Sequence, residues 1–342
     1  MEQKMRAAVF QGDGKLEICM VDIPKLRKPD DVLVQVEACS ICGTDVHILN
    51  VPPGYHAKPG TILGHELVGK VVAVGEAVTQ IKIGDRVVCN PNEYCGVCNY
   101  CRRNLPNLCE HIIPLGIEED GGFAEYVRLS ECCTYRVADD LPAEIAMFAE
   151  PLACMMNGVK KLCVQPGESV LVLGAGPIGL MMVQLMKASG ASPVIVSETS
   201  TIRRGIALES GADIVVDPQN ESLKEIVAEN TQLGPDHVLD MTGGLFGQAV
   251  ELVRKGGQIL LFGVNASAAT EIAQSRITQK EITVLGTWLA NASFPAAISI
   301  LESNLLPLER LVTHRCSLEE LEEMILLLRQ GKAVKILVDP IK

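Results

Sequence analysis

The chain holds 342 residues, 48% of them apolar and 21% charged, with a formal net charge of −12; that length supports two domains, each with its own core. The negative balance disfavours a nucleic-acid binder, which needs a basic face. No apolar run approaches the roughly 20 residues of a membrane span, the N-terminus MEQKMRAAVF lacks a signal core, and thirteen mostly isolated cysteines point to a reducing cytoplasm.

Through about residue 145 the pattern is one of short strands and turns, with strands predicted over 32–36, 67–74 and 86–89 between Gly-Asp and Pro-Gly breaks. Two chemically active residues lie here: Cys42 in CSICGTDVH and His65 in GHE. With Glu150, which opens EPLAC, they offer one thiolate, one imidazole and one carboxylate. That set suits zinc with a coordination position left open. Taken singly, each has an ordinary reading as a buried thiol, a loop histidine or a helix-capping acid.

Between them, within the loop 90–110, runs CGVCNYCRRNLPNLC, which places Cys95, Cys98, Cys101 and Cys109 in a C-x2-C-x2-C-x7-C pattern. Four thiolates this close can wrap one tetrahedral Zn2+. The segment is polar and broken by Gly96, Asn99, Asn104, Pro106 and Asn107, so a closed metal site would replace the core it lacks. A pair of disulfides is the alternative, disfavoured by a chain with no other sign of an oxidising compartment. Four thiolates leave no open position, so the reading is structural zinc.

From about Glu168 strands and helices alternate. Strands are predicted over 169–173, 193–197, 214–216, 237–239, 258–262 and 282–285, and helices over 177–189, 203–210, 223–229 and 246–253. This is the pattern of a doubly wound parallel sheet. Gly174, Gly176 and Gly179 form GAGPIG, with Pro177 and Ile178 inside it, between the first strand and first helix. There the glycines allow a tight turn, close approach of a pyrophosphate and close helix–strand packing, with the phosphates at the helix N-terminus. Glu198 follows at the end of the second strand, where a carboxylate binds ribose hydroxyls and repels a 2′-phosphate, favouring NAD; Arg203 and Arg204 nearby argue the other way. After Gly286 the chain is expected to return to the first domain, with one more strand over 337–339.

Taken together these motifs carry a resemblance. GHELVGKVVAVGEAV at 64–78, CGTDVH at 42–47, the four-cysteine loop, GGFAEY at 121–126, EPLAC at 150–154 and GAGPIG at 174–179 stand in the order found in zinc-dependent medium-chain dehydrogenases/reductases, which the chain resembles over essentially its whole length. The resemblance implies an α/β protein: a GroES-like β-barrel catalytic domain at 1–148, a Rossmann NAD-binding domain at 149–286, a return to the catalytic domain at 287–342, and an active site in the cleft between domains. It implies two zinc ions per chain. Cys42, His65 and a carboxylate, Glu66 or Glu150, hold the catalytic one, which lowers the pKa of a substrate hydroxyl before hydride passes to C4 of the nicotinamide. Thr44 and His47 match the proton-relay positions. Ile178, Glu198 and Arg203 match cofactor contacts, as do Phe262, Gly263 and Val264, and Thr287 and Trp288 near the nicotinamide. A homo-oligomer is expected.

Two branches compete. CGTDVHILN and LVTHR resemble threonine 3-dehydrogenases; EPLAC and FPAAISIL look more like sorbitol and other polyol dehydrogenases, and GTWLANAS is somewhat similar to galactitol-phosphate dehydrogenases. Leu289 and Ala290 stand about where sorbitol dehydrogenases carry Arg-Tyr. The expected substrate is therefore a polyol or related secondary alcohol, possibly phosphorylated, with L-threonine as the alternative. A zinc-free or NADPH-dependent reductase and a non-catalytic nucleotide-binding protein are the remaining readings.

Overall fold

The computed structural model describes residues 3–342. The chain divides into two compact units. One runs to Ala153 and takes in Ala290–Ser303 and Val312–Lys342; the other is Cys154–Leu289 with Asn304–Leu311. The first break falls inside the helix Ala149–Leu162, and Asn304–Leu311 groups with the second unit, so the later chain crosses between units more than once.

The first unit is built on a seven-stranded sheet. Its order is Val312–Cys316, Lys335–Val338, Asp31–Ser40, Glu66–Val74, Arg86–Cys89 and Thr134–Arg136, with Tyr126–Ser130 also paired to Asp31–Ser40. In Asp31–Ser40, Val32, Val34, Val36 and Ala38 are all buried, the two-residue period of a strand with one face in a core. Register shifts at Leu33/Val34 and Val36/Ala38 bend this strand and help the sheet curl. A hairpin, Lys4–Gly12 and Lys15–Asp22, turns at Asp13 and Gly14, both at positive φ. Ala8 N–H donates to the Phe123 carbonyl (2.8 Å) and Phe10 N–H to that of Thr61 (2.9 Å), which lays the hairpin over the same core. A small second sheet, Asn92–Glu93 with Ile113–Pro114, flanks the four-cysteine loop.

The second unit is a six-stranded, fully parallel sheet in the order Ile214–Val216, Val194–Ser197, Val170–Leu173, His237–Asp240, Gln258–Leu261, Thr283–Gly286. Sequence order reverses between Val170–Leu173 and His237–Asp240, the topological switch point of a Rossmann sheet. The VLVL of the first strand is buried throughout, because a parallel sheet is covered on both faces.

Candidate metal and cofactor sites

Cys95, Cys98, Cys101 and Cys109 converge. Their Sγ atoms all lie within 4.8 Å of one another, with separations of 3.5 Å for Cys98–Cys101 and Cys95–Cys109 and 3.9 Å for Cys98–Cys109. Four sulfurs at about 2.3 Å from one centre would stand about 3.8 Å apart in a tetrahedron, so the cage already has the size zinc requires. Backbone N–H groups aim at the sulfurs: Cys95 and His111 donate to Cys109 Sγ (3.4 and 3.3 Å), and Cys98 to Cys95 Sγ (3.4 Å). The N–H groups of Cys101 and Glu110 bring the Cys98 thiol down to about 6. Gly96 makes the tight turn between the first two cysteines at φ +70°, where a side chain would be strained. All thirteen cysteines are free, so the alternative of paired disulfides is not realised.

Cys42, His65 and Glu66 form a second cluster, each offering a ligand atom within 4.8 Å of the others. Cys42 sits before the short helix Gly43–Ile48, and its N–H donates to Asp45 Oδ2 at 2.9 Å. Asp45 is fully buried, and its Oδ1 lies 3.8 Å from His65 Nδ1. It was not singled out in the sequence. The signal was its place three residues after Cys42, where a carboxylate caps a helix and can also orient a metal-binding imidazole. Glu66 opens the strand Glu66–Val74 and is buried. Its Oε2 accepts from the Ser40 hydroxyl and from the ammonium of Lys335, itself buried and 5.8 Å from the centre of the Phe148 ring.

Electrostatics support a cation here. Burial pulls the His65 pKa down, but Cys42 and Asp45 outweigh it and push it well above the ordinary histidine value, with Glu150 adding to the effect. Burial likewise opposes the charge on Lys335, yet Glu66 and Cys42 hold its pKa above normal. Four groups that can be anionic thus act on two that can be cationic. His65 Nδ1 is buried without a hydrogen-bond partner among the described residues. A divalent metal fits this donor set. Glu150 lies in the first turn of Ala149–Leu162, outside the compact trio but close enough to act on His65 and Lys335. Thr44 Oγ1 is 3.7 Å from Cys42 Sγ, and His47 is exposed one turn later on the same helix.

In the parallel sheet, Gly174 leaves the first strand at φ +96° and the helix Pro177–Ala188 starts with Pro177 at its first turn. A Cβ on Gly179 would lie 2.1 Å from the Gly174 carbonyl oxygen, whereas one on Gly176 would meet nothing within 4 Å. Gly174 and Gly179 therefore pack against each other, and Gly176 leaves open space against free helix N–H groups, as a pyrophosphate requires. Glu198 Oε2 accepts from Ala175 N–H (2.7 Å) and Oε1 from Ser200 N–H (2.8 Å), which fixes the carboxylate beside the glycine turn. Arg204 donates to the carbonyls of Glu198 and Thr199 and pairs with Asp217 at 3.0 Å. Arg203 is the third residue of the helix Thr201–Glu209, and its N–H meets Ser200 Oγ at 3.5 Å. Ile178 is partly buried in the first turn of its helix.

The other expected cofactor residues follow strand ends of the same sheet. Phe262 and Gly263 donate their N–H groups to the Asp240 carbonyl at 3.0 Å, and Val264 is exposed. Asp240 escaped the sequence reading, although its carboxylate accepts from Thr242, Gly243 and Leu245 N–H groups and shapes the turn at the switch point. Thr287 Oγ1 is buried without a hydrogen-bond partner among the described residues, and Trp288 is exposed. Asn157 Nδ2 holds the next turn by donating to the carbonyls of Trp288 and Leu289 (3.1 and 2.8 Å), where Leu289 takes a left-handed φ of 52°.

Comparison with known proteins agrees with this architecture. Residues 28–139 match the alcohol dehydrogenase GroES-like domain and 177–303 the zinc-binding dehydrogenase domain. The chain is 33% identical over 344 residues to D-arabinitol dehydrogenase 1 of Uromyces fabae, covering 98% of this chain and 97% of that protein. It is 34% identical over 355 residues to an L-threonine 3-dehydrogenase of Caldanaerobacter subterraneus, covering 99% and 100%. A structure from Sinorhizobium meliloti 1021, described as a zinc-binding dehydrogenase bound to NADP, superposes with a TM-score of 0.92 at 34% identity over 99% of this chain and 100% of that one.

Proposed function

The chain belongs to the zinc-dependent medium-chain dehydrogenase/reductase family, oxidoreductases acting on CH–OH groups, and from that premise we propose that it oxidises a polyol or sugar alcohol at a secondary hydroxyl with NAD. The observation that carries the reading is the Cys42–His65–Glu66 cluster, a three-ligand set of the kind that leaves a metal open to substrate. When bound, zinc supplies Lewis-acid polarisation of the substrate hydroxyl and the nicotinamide accepts the hydride.

The chain's own residues supply the rest. Cys42, His65 and Glu66 hold the metal, with Glu150 as the carboxylate within electrostatic reach. The Asp45 carboxylate faces the His65 ring and supplies a charge beside it. Thr44 and His47, on one helix turn, carry the substrate proton outward. Gly174, Gly176 and Gly179 with Pro177 and Ile178 seat the pyrophosphate, and residues 262–264 with Thr287 and Trp288 serve the nicotinamide end. Cys95, Cys98, Cys101 and Cys109 hold a structural zinc.

NAD is favoured over NADP because Glu198 is fixed where a 2′-phosphate would meet its charge and Arg204 is committed to Asp217. The NADP seen in the Sinorhizobium structure belongs to that protein. A neutral substrate is favoured because the segment GTWLANAS at 286–293 offers hydroxyl and amide groups and no charge, whereas threonine would need charged partners. Ser293, another polar residue of that segment, does not contribute, since its hydroxyl donates to the Ala153 carbonyl at 2.6 Å. The thirteen free thiols support a cytoplasmic setting, and the two end strands of the parallel sheet, Ile214–Val216 and Thr283–Gly286, support a homo-oligomer joined at a sheet edge.

Steady-state kinetics with NAD and NADP against arabinitol, xylitol, sorbitol, galactitol, their phosphates and L-threonine tests the reading. The highest kcat/KM is expected for a polyol with NAD. An efficiency on L-threonine far above every polyol would overturn the substrate, and a preference for NADP would overturn the role of Glu198.

A further inference from the structure

Outside the metal and nucleotide sites, the chain carries two adjacent cysteines, Cys132 and Cys133, in the turn Glu131–Cys133. Cys132 is exposed, whereas Cys133 is buried beneath it. Their Sγ atoms are 3.9 Å apart, and the Ser130 hydroxyl is 3.4 Å from Cys132 Sγ. Cys132 Sγ thus has two hydrogen-bonding neighbours and an open side toward solvent. An accessible thiol next to a second thiol is the arrangement of a redox-responsive pair. We propose that Cys132 and Cys133 form a hydroperoxide-reactive dithiol, with Cys132 the attacking thiol and Cys133 the resolving one.

The chemistry closes on itself. The Cys132 thiolate attacks one oxygen of a hydroperoxide; an S–O bond forms, the O–O bond breaks, and the departing oxygen leaves as an alcohol or water with a proton from solvent. Cys132 is now a sulfenic acid, oxidised by two electrons as the peroxide is reduced by two. Cys133 sulfur then attacks Cys132 sulfur; the S–S bond forms, the S–O bond breaks, and water leaves with the Cys133 proton. Two thiols and one hydroperoxide become one disulfide, one alcohol and one water. The neighbouring Cys133 and Ser130 bring the Cys132 thiol down to about 6, whereas Cys132 and burial push Cys133 well above the ordinary thiol range, which makes Cys132 the more acidic of the two.

The pair is placed where its state can be felt. The Cys133 carbonyl accepts from Asn90 N–H at 2.8 Å, and its Sγ lies 3.9 Å from the Asn92 carbonyl, on the segment that enters the four-cysteine loop. Tyr94, next along, has its pKa raised by burial and by the charges of Cys132, Cys133 and Cys101.

The test treats the zinc-loaded enzyme with one equivalent of hydrogen peroxide, alkylates the remaining thiols and maps every cysteine by peptide mass. Cys163, also exposed, is the internal reference. The expected result is a peptide containing Cys132 and Cys133 that is lighter by two hydrogens and takes no alkylating agent, while Cys163 and the loop cysteines stay alkylatable or metal-bound. Cys133→Ser should stop at a sulfenic acid on Cys132, trapped as its dimedone adduct, and Cys132→Ser should give neither product; thermal melts establish that both variants fold. Oxidation of Cys163 at the same rate as Cys132, absence of the dimedone adduct in Cys133→Ser, or earlier oxidation of the loop cysteines with zinc release would each overturn the proposal.

Discussion

Lys335 and Glu66 show what a single buried charge does in this protein. Both side chains are almost entirely removed from solvent, and the ammonium and the Ser40 hydroxyl converge on one carboxylate oxygen. Removing one member of such a pair leaves an uncompensated charge and costs about 3–5 kcal/mol. Lys335→Met should lower the stability of the metal-free enzyme by that order, and Glu66→Gln in the same chain should restore much of it; denaturant melts of the two variants measure the difference. Asp45→Asn keeps the shape of its side chain but removes the charge facing His65. Zinc affinity of the open site should fall roughly 10- to 100-fold, read by competition with a chelator, while the four-thiolate site keeps its metal. At the other ligand, Glu198→Ala should shift the ratio of kcat/KM for NAD over NADP toward NADP, an outcome that kinetics with both cofactors would check.

The two glycines of the nucleotide turn separate packing from binding within one element. Gly179 abuts the Gly174 backbone, so Gly179→Ala must push helix and strand apart and should lower the melting temperature. Gly176 has φ −65° and open space at its Cβ, so Gly176→Ala should fold normally and instead weaken NADH binding, which fluorescence titration would show. Equal loss of stability in both would contradict this division of roles. In the four-cysteine loop, Cys98→Ser removes one corner of the sulfur cage. One zinc fewer per chain and faster proteolysis within 95–109 are expected, by elemental analysis and limited digestion.

Across the whole molecule, acid sensitivity follows from carboxylates that folding stabilises as anions. Burial pushes the Asp31 pKa up, but the N–H groups of Lys28 and Arg27 and the Arg128 guanidinium bring it below the ordinary value. Asp236 in the other unit behaves alike, with burial outweighed by Ser169 and Arg254. A depressed folded pKa contributes stability that is complete above the unfolded value of about 4 and lost as pH falls through the folded one. The melting temperature should therefore drop steeply below about pH 4, and Asp236→Asn should flatten part of that drop.

The same contrast between local and distant effects decides what could be read in advance. The inner strands Val170–Leu173 and Val194–Ser197 were legible because each is a buried, mainly apolar run, and the helix expected over 203–210 runs Thr201–Glu209, starting two residues earlier, where Ser200 caps it. The clustering of Cys95, Cys98, Cys101 and Cys109 was legible because the four are close in sequence. Lys335 was not, because nothing in KAVKILVD distinguishes a buried lysine from a solvated one; its partner is 269 residues away. Asp240 and Asn157 were missed for the same reason, since their work is done on backbone groups that only the fold brings near.

The strand Lys335–Val338 carries a consequence for synthesis. It pairs with the strand holding Ser40, and it brings Lys335 to Glu66, so the central sheet of the first unit is completed only after the whole of the second unit has been translated. All of the second unit lies before Val312 and leaves the ribosome earlier. All the residues of the second unit are thus made while Glu66 still lacks its counter-charge and the first unit's sheet lacks a strand. A message truncated before Lys335 should therefore yield a chain whose second unit is complete while Glu66, buried beside Cys42 and His65, has lost its ammonium partner.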